Sequence, residues 1–132
     1  MRALVTGASS GIGEEIAKIL DSMGYDVVIA ARREDRLKKL AAELKNNTKI
    51  IACDLSDREE CRRLFSEAGE IDVLVNSAGF GVFGEFTDTD LDSELSLIDV
   101  NITALHMLTK LFLDGFVKRN SGYILNVASV AA

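Results

Sequence analysis

The sequence is poor in the residues that build metal sites and disulfide-bonded cores. It has two cysteines and one histidine among 132 residues, and no proline or tryptophan. The spacing of Cys53 and Cys61 matches neither a zinc site nor a disulfide framework, so we expect two free thiols. His106 falls in a helical pattern with no second candidate ligand nearby, which favours a surface or packing role. We therefore predict no metal site.

Positive charge is also in the minority, with 15 Lys and Arg residues against 21 Asp and Glu and a net charge of −6. This balance argues against binding to nucleic acid or to an anionic membrane surface. No apolar run approaches the length of a membrane span. The N-terminus also lacks the basic, apolar and small-residue series of a signal peptide. We expect a soluble cytoplasmic protein.

Short apolar segments alternate with helical patterns along the whole chain. With 48% hydrophobic and 27% charged residues, the composition is that of one globular domain over residues 1–132. The apolar segments are nearly continuous, which indicates a parallel sheet covered on both faces. Strict alternation predicts an α/β fold, a doubly wound Rossmann-type sheet in strand order 3-2-1-4-5. The predicted strands are residues 3–6, 26–30, 49–53, 71–75 and 123–127.

The longest helical pattern precedes the last predicted strand. One apolar stripe runs from Leu91 through Ile102 to Phe116, and a second runs from Leu97 to Leu111. Two apolar stripes on one helix need two covering surfaces. The sheet is one of them, and the other is either a missing part of this chain or another subunit. We therefore predict a homo-oligomer formed through the helix of residues 90–118.

A glycine-rich turn, Thr-Gly-Ala-Ser-Ser-Gly-Ile-Gly at residues 6–13, joins the first strand to the first helix. Glycines let a backbone approach a pyrophosphate, whose charge then meets the free amides at the helix start. The position between a buried strand and an amphipathic helix supports this interpretation over a merely structural turn. The predicted phosphate-binding residues are Gly7, Ser9, Ser10, Gly11, Ile12 and Gly13.

The same eight residues resemble the signature of the short-chain dehydrogenase/reductase family. Further matching segments follow in the family's order and extend the resemblance over essentially all of the chain. Residues 79–84 and the helix after them are most similar to the ketoacyl-reductase-like subgroup. Ser77 departs from the family pattern, because it replaces the second Asn of Asn-Asn-Ala-Gly. The later matches are Asp54-Leu55, Asn76-Ser77-Ala78-Gly79, Val100-Asn101 and Asn126-Val127-Ala128-Ser129.

The resemblance implies roles for several polar residues. Asp54, with Leu55, is expected beside the adenine ring of a nicotinamide dinucleotide. Ser129 matches the serine that hydrogen-bonds the substrate carbonyl oxygen, although it could also be a residue of the turn that ends the strand. Asn101 matches the asparagine of a water-linked proton path, and its alternative is surface polarity on the helix. The segment after the fourth strand adds the expected cofactor contacts Asn76, Ala78 and Gly79.

Two arginines after the second strand bear on the choice of cofactor. Ala31 stands at the family's usual acidic position, where a carboxylate would bind the 2′-hydroxyl of NAD. Arg32 and Arg33 follow directly, and a charge-assisted contact to the 2′-phosphate of NADP contributes roughly 1.5–3 kcal/mol. The alternative is that both are solvated charges partnered by acidic neighbours at positions 34 and 35. We expect NADP(H) to be preferred over NAD(H).

The Tyr-x-x-x-Lys pair of the family does not occur in this sequence. Tyr25 and Tyr123 are the two tyrosines, and neither is followed by lysine four positions later. Complete family members continue beyond the position of Ser129 with a helix carrying this pair, two more strands and a substrate lid. We therefore expect a fragment of the family's domain that binds NADP(H) and turns over little substrate. The loop of residues 80–86 is expected to line one wall of the substrate pocket.

Three functions compete at this stage. The leading one is an oxidoreductase that transfers hydride between NADP(H) and a small carbonyl or alcohol compound. The second is a non-catalytic NADP(H)-binding sensor or interaction module, against which the retention of Asn101 and Ser129 argues. The third is a methyltransferase that uses the glycine-rich turn for S-adenosylmethionine. The arginine pair and the segment of residues 76–79 argue against that last function.

Overall fold

The structure is a computed structural model that describes residues 1–128 of the chain. A single sheet lies at its centre, and helices cover both of its faces. The strands are β1 (Arg2–Thr6), β2 (Asp26–Ala31), β3 (Thr48–Ala52), β4 (Val73–Asn76) and β5 (Tyr123–Asn126). The α-helices are α1 (Gly11–Ser22), α2 (Glu34–Glu43), α3 (Arg58–Ala68), α4 (Leu91–Ile98) and α5 (Leu105–Arg119), with a π-helical segment at Asp99–Ala104.

The sheet is parallel throughout and has the strand order β3-β2-β1-β4-β5. Central β1 pairs with β2 and β4, so that Leu4 lies opposite Val28 on one side and Leu74 on the other. One face of the sheet packs against α3 and α5, and the other packs against α1 and α2. The predicted doubly wound Rossmann-type architecture and its strand order are therefore confirmed.

The fourth strand begins two residues later and ends one residue later than the prediction of 71–75. Ile71 and Asp72 precede β4, where the Asp72 side chain accepts a hydrogen bond from the backbone N–H of Arg2 at 2.8 Å. At the other end, Asn76 still belongs to the strand, because it pairs with Asn126 of β5. The apolar pattern indicates the strand but not its polar last residue.

Local capping explains where several helices begin and end. Asp57 caps α3 by accepting a hydrogen bond from the Glu59 amide at 2.8 Å. Asp90 caps α4 in the same way through the Ser93 amide at 3.0 Å. These short carboxylates satisfy amides that the first helical turn leaves free. They also fix the points at which the chain turns back towards the sheet.

The long helix before β5 is interrupted rather than regular. The π-helical segment separates α4 from α5, and such segments often lie at functional sites. From its last residue onwards, Ala104, Leu108, Phe112 and Phe116 are buried against the sheet and α3. Before it, the apolar side chains of α4 face outwards, and Leu91 is 64% exposed. The structure thus has one covered stripe and one uncovered stripe.

The helical stretch Leu91–Arg119 is, by length and composition, apolar enough to cross a membrane. The expectation that no run reaches this length was wrong on that point. Length and composition do not show a membrane span, however, because α5 packs one face against the core of this domain. The cytoplasmic location stays a prediction.

Candidate functional site

A cavity of about 440 Å³ opens at the carboxyl ends of the central strands. This is the edge of a parallel sheet at which ligands of doubly wound folds bind. All predicted cofactor-binding residues except Asn76 line it. They are Gly7, Ser9, Ser10, Gly11, Ile12, Gly13, Arg32, Arg33, Asp54, Leu55, Ala78 and Gly79. Four further lining residues were not predicted as contacts, namely Cys53, Ser77, Val100 and Val127. Ala31 and Phe80, which the sequence placed at the ribose position and in the pocket loop, also line the cavity.

The glycine-rich turn comes very close to the loop after β4. A Cβ atom on Gly7 would lie 2.7 Å from the carbonyl oxygen of Ser77, and Gly7 also has a φ of +64°. A Cβ on Gly13 would lie 2.7 Å from Oγ of Ser77 and closer still to the backbone of Gly7. A side chain at either position would therefore push the glycine-rich turn away from the loop after β4.

The amino-terminal end of α1 faces this cavity. Ser10 is the N-cap residue of α1, but its side chain makes no capping hydrogen bond. The first amides of α1, including those of Ile12 and Gly13, are therefore not capped by a side chain. Free amides and the helix dipole together favour an anion at such a position.

Thr6 links the end of β1 to the loop after β4 and was not singled out from the sequence. Its buried hydroxyl donates to the carbonyl oxygen of Val75 and accepts from the amides of Ser77 and Ala78, at 3.1 and 3.2 Å. A threonine at the end of the first strand, directly before the glycine-rich turn, was the available signal. These hydrogen bonds hold the loop after β4 in a fixed position relative to β1.

Asn76 does not line the cavity. Its side chain is 4% exposed and points into the domain, where Nδ2 donates to Thr109 of α5 and to Asn126 of β5. Asn76, which was expected to contact the cofactor, thus bonds to α5 and β5 instead. Asn76 carries its neighbours Ser77 and Ala78 to the cavity wall.

Asn101 lies in the π-helical segment and holds the loop after β4. Its Oδ1 accepts from the amide of Phe80 at 3.0 Å, and its Nδ2 donates to the carbonyl oxygen of Phe80 at 2.9 Å. This pair of bonds excludes the alternative that Asn101 is only a polar residue on the helix surface. Both polar atoms of the side chain therefore form hydrogen bonds with the backbone of Phe80.

The loop of residues 80–86 was expected to line one wall of a substrate pocket. Phe80 lies on the wall of the cavity, whereas Phe83 and Phe86 are largely exposed. Val82, Gly84 and Phe86 border a separate apolar groove beside α4. The loop therefore has one residue on the cavity and several on the outer surface.

Asp54 lies at the cavity edge with one carboxylate oxygen occupied. Oδ1 accepts from the amide and the hydroxyl of Ser56, at 3.0 and 2.8 Å.

Neighbouring Cys53 is buried, and this burial raises the pKa of its thiol to about 12. The thiol therefore stays protonated and is a poor nucleophile at neutral pH. Cys53 and Cys61 are both free, as expected.

The two arginines at the end of β2 have no acidic partner within residues 1–128. Glu34 was a candidate partner, but it pairs instead with Lys38, at 3.7 Å. Neither Arg32 nor Arg33 forms an ion pair with any other residue of that range. The cavity edge thus carries two guanidinium groups available to an anion.

The predicted catalytic residue Ser129 lies outside the described residues. The strand leading towards it ends at the cavity, since Val127 is a lining residue and its amide bonds to the carbonyl oxygen of Asn76 at 3.0 Å. The described part of the chain therefore brings together the predicted phosphate, adenine and ribose contacts and the loop held by Asn101.

Comparison with known proteins identifies the family. A family model described as short chain dehydrogenase matches residues 1–132. An oxidoreductase of Staphylococcus epidermidis is 37% identical over 98% of this chain and 58% of its own length. The 3-oxoacyl-[acyl-carrier-protein] reductase FabG of Rickettsia conorii is 36% identical over 97% of this chain and 53% of its own.

The fold comparison agrees with the sequence comparison. A short-chain dehydrogenase from Sphingobium yanoikuyae, solved in complex with NADPH, superposes with a TM-score of 0.93 at 33% identity. The match covers 98% of this chain and 53% of that one. The chain thus spans a little over half the length of the relatives it matches. Its glycine-rich cavity, its sheet order and these similarities together show that it belongs to the short-chain dehydrogenase/reductase family of oxidoreductases.

Proposed function

We propose that the cavity binds a nicotinamide dinucleotide, with NADP(H) preferred over NAD(H). We further propose that the whole protein uses it to interconvert a small carbonyl compound and the corresponding alcohol. The observation that carries this proposal is the close approach of Gly7 and Gly13 to Ser77 beneath the uncapped end of α1. That arrangement leaves space and amide donors where a diphosphate group fits.

The charges around the cavity support the preference for NADP(H). A 2′-phosphate beside Arg32 and Arg33 would meet guanidinium groups that have no competing carboxylate within residues 1–128. Ala31, which also lines the cavity, presents no acceptor for the 2′-hydroxyl of NAD. At the other side of the adenosine, the second oxygen of Asp54 is oriented by the bonds that Ser56 makes to Oδ1. We assign Asp54 and Leu55 to the adenine.

The bound cofactor supplies or accepts the hydride, and the residues of the chain bind and orient the reactants. Ser129 is the proposed hydrogen-bond donor to the substrate oxygen. Asn101 is assigned to holding Phe80 at the cavity wall, because both polar atoms of its amide bond to that backbone. The predicted place of Asn101 in a water-linked proton path stays a proposal, since Nδ2 has a second hydrogen and Oδ1 a second lone pair.

Turnover by residues 1–132 alone should be low. Positioned proton transfer typically contributes about 10²–10⁴-fold to a rate, and no Tyr-x-x-x-Lys pair occurs among these residues. A non-catalytic NADP(H)-binding module is the alternative. Carbonyl reduction by the whole protein, measured with NADPH, distinguishes the two, because only the oxidoreductase turns over substrate. The Rickettsia relative named as a 3-oxoacyl-[acyl-carrier-protein] reductase makes ketoacyl compounds a reasonable first substrate class to test.

We also propose that the protein is a homo-oligomer formed through the helix of residues 90–118. The outward apolar side chains of this region include Leu91, Leu95, Ile98 and Ile102. An apolar surface that continues along a helix favours association, because burial removes it from water.

The test of the cofactor assignment is a comparison of dissociation constants for NADPH and NADH by fluorescence titration. Unsubstituted protein should bind NADPH at least tenfold more tightly, since one Arg–phosphate contact contributes roughly 1.5–3 kcal/mol. Arg32→Gln together with Arg33→Gln should remove most of this preference and leave NADH affinity unchanged. Arg62→Gln, an exposed arginine on α3 paired with Glu59, is the matched control. Equal affinities in the unsubstituted protein would overturn the preference for NADP(H), and binding of neither would overturn the dinucleotide site.

A further inference from the structure

The long helix is tied to the chain segment around β4 by three polar contacts. Asn101 bonds to the backbone of Phe80, Thr109 accepts from Nδ2 of Asn76 at 3.1 Å, and Arg119 donates to the carbonyl oxygen of Ile71 at 2.8 Å. The later helix residue contacts the earlier strand residue in each case. The helix therefore runs antiparallel to β4.

The three contacts follow one another in matching order along the helix and the segment around β4. Asn101 lies in the π-helical segment, and Thr109 lies eight residues later in α5. Their partners, Phe80 and Asn76, are four residues apart, and Phe80 lies in the loop after β4. Arg119 lies ten residues after Thr109 in α5, and its partner Ile71 lies five residues before Asn76. A shift of the helix by one turn would move Asn101 and Thr109 by about 5.4 Å, so the contacts of these two short side chains form in only one axial register.

The three contacts differ in how far the helix could move along its axis before they break. Arg119 reaches its partner through a long side chain that also pairs with Glu70 and is partly exposed. Asn76 and Thr109 are both short, and Asn76 is buried at the end of β4. A shift of the helix along its axis would leave a donor hydrogen of Asn76 without its acceptor, and an unpaired buried donor is costly. The middle contact is therefore the one that resists axial movement.

We propose that Thr109 is a positioning residue: by accepting a hydrogen bond from Asn76, it sets the axial register of the long helix and so keeps Asn101 opposite Phe80. Phe80 lies on the wall of the cavity, so this register also fixes the shape of that wall. Thr109 itself is not among the residues that line the cavity. The consequence for dinucleotide affinity rests on the proposed function, whereas the consequence for the helix register does not.

The test compares Thr109→Val, which keeps the shape and removes the hydroxyl, with Thr109→Ser, which keeps the hydroxyl. Hydrogen exchange of the Phe80 amide is measured by NMR without cofactor, since this amide donates directly to Asn101. Thr109→Val should speed its exchange about three- to tenfold, the range expected for one lost hydrogen bond. Thr109→Ser should return the rate to within about twofold of the unsubstituted protein. The Val5 amide in central β1 reports global unfolding and should change less than that of Phe80.

Thr103→Val is the matched control, because Thr103 lies in the same helical stretch and makes no side-chain hydrogen bond within residues 1–128. It should leave Phe80 exchange unchanged. If Thr109→Val does not fold, Thr109→Ala is measured with the same expectation. A lower melting temperature with equal changes at Phe80 and Val5 would overturn the proposal, because that is the result of a purely structural contact.

A second measurement connects the register to the cavity. The dissociation constant for NADPH should rise about three- to tenfold in Thr109→Val and be restored in Thr109→Ser. Failure of every form, including the unsubstituted protein, to bind NADPH would contradict the proposed function and leave the Phe80 result standing. Normal NADPH affinity in Thr109→Val with faster Phe80 exchange would confine the role of Thr109 to the helix and overturn its link to the cavity.

Discussion

The central strands and the β5 side of the sheet are built from similar apolar residues but bury them to different extents. Leu4 and Leu74 are fully buried, because each strand has a neighbour on both sides and helices on both faces. In β5, Leu125 is 48% exposed and Tyr123 is 66% exposed. The outward residues of α4 are exposed in the same way. Apolar character in a strand therefore does not report burial unless the neighbours are known.

The molecule therefore has a closely packed side, around β1 and β4, and an open side, where apolar residues of β5 and α4 are exposed. The phosphate-binding turn lies on the closely packed side, between β1 and α1, where the backbone geometry is held by close contacts. Within residues 1–128, the edge of β5 has no further strand beside it and the outward stripe of α4 is exposed, and such surfaces favour association. Substitutions chosen in matched pairs, one from each side, test this division.

The largest contrast is expected for leucine truncation. Leu74→Ala in β4 should lower the free energy of unfolding by about 2–5 kcal/mol, because it leaves a cavity in a packed core. Leu125→Ala, on the neighbouring strand, should cost less than about 1 kcal/mol, since that side chain is half in water already. Urea denaturation followed by circular dichroism measures both. Similar losses for the two variants would contradict the division between a closely packed side and an open side.

Two helical glycines should respond to alanine with opposite signs. Gly13→Ala places a methyl group against the backbone of Gly7 and should destabilise by about 1–3 kcal/mol while weakening NADPH binding. In α5, a Cβ on Gly115 would meet only the flexible end of Arg119, 3.0 Å away. Gly115→Ala should therefore stabilise by up to about 1 kcal/mol through helix propensity. Thermal unfolding and NADPH titration of both variants check the pair, and a stabilising Gly13→Ala would show that the turn is not closely packed.

The smallest change in stability is expected on the uncovered stripe. Leu95→Lys should alter the free energy of unfolding of a monomer by no more than about 0.5 kcal/mol, because the residue is already exposed. It should nevertheless shift the oligomer towards monomer, since a charge would enter the proposed interface. Sedimentation velocity over a range of concentrations measures this shift. Lys110→Gln, at an exposed position of α5, is the control, and a monomeric unsubstituted protein would remove the homo-oligomer proposal.

Most of the cavity could be predicted from short sequence segments. The turn of residues 6–13 and the arginines at 32 and 33 follow the ends of β1 and β2 directly, so a correct strand assignment also locates them. Asp54 and Ala78 follow β3 and β4 in the same way. Parallel strands bring their carboxyl ends to one edge, and the predicted residues therefore meet there.

Contacts between distant segments could not be predicted in this way. Asn76 belongs to the same motif as Ala78, yet it points inwards to Thr109 and Asn126, 33 and 50 residues later. The π-helical segment at Asp99–Ala104 has no apolar period of its own and interrupts a pattern that reads as one regular helix. Thr6 reaches the amides of Ser77 and Ala78 across 71 and 72 residues. Each depends on the packing of elements rather than on a local pattern.

The amino-acid sequence by itself determined the order of strands and helices, the position of the glycine-rich turn and the presence of two arginines beside it, because apolar periodicity and glycine conformation act over a few residues. The tertiary structure decided which apolar residues are covered, which way Asn76 points and how Asn101 meets Phe80. Those outcomes depend on the distance and register between segments that are far apart in the chain, and no local preference specifies them.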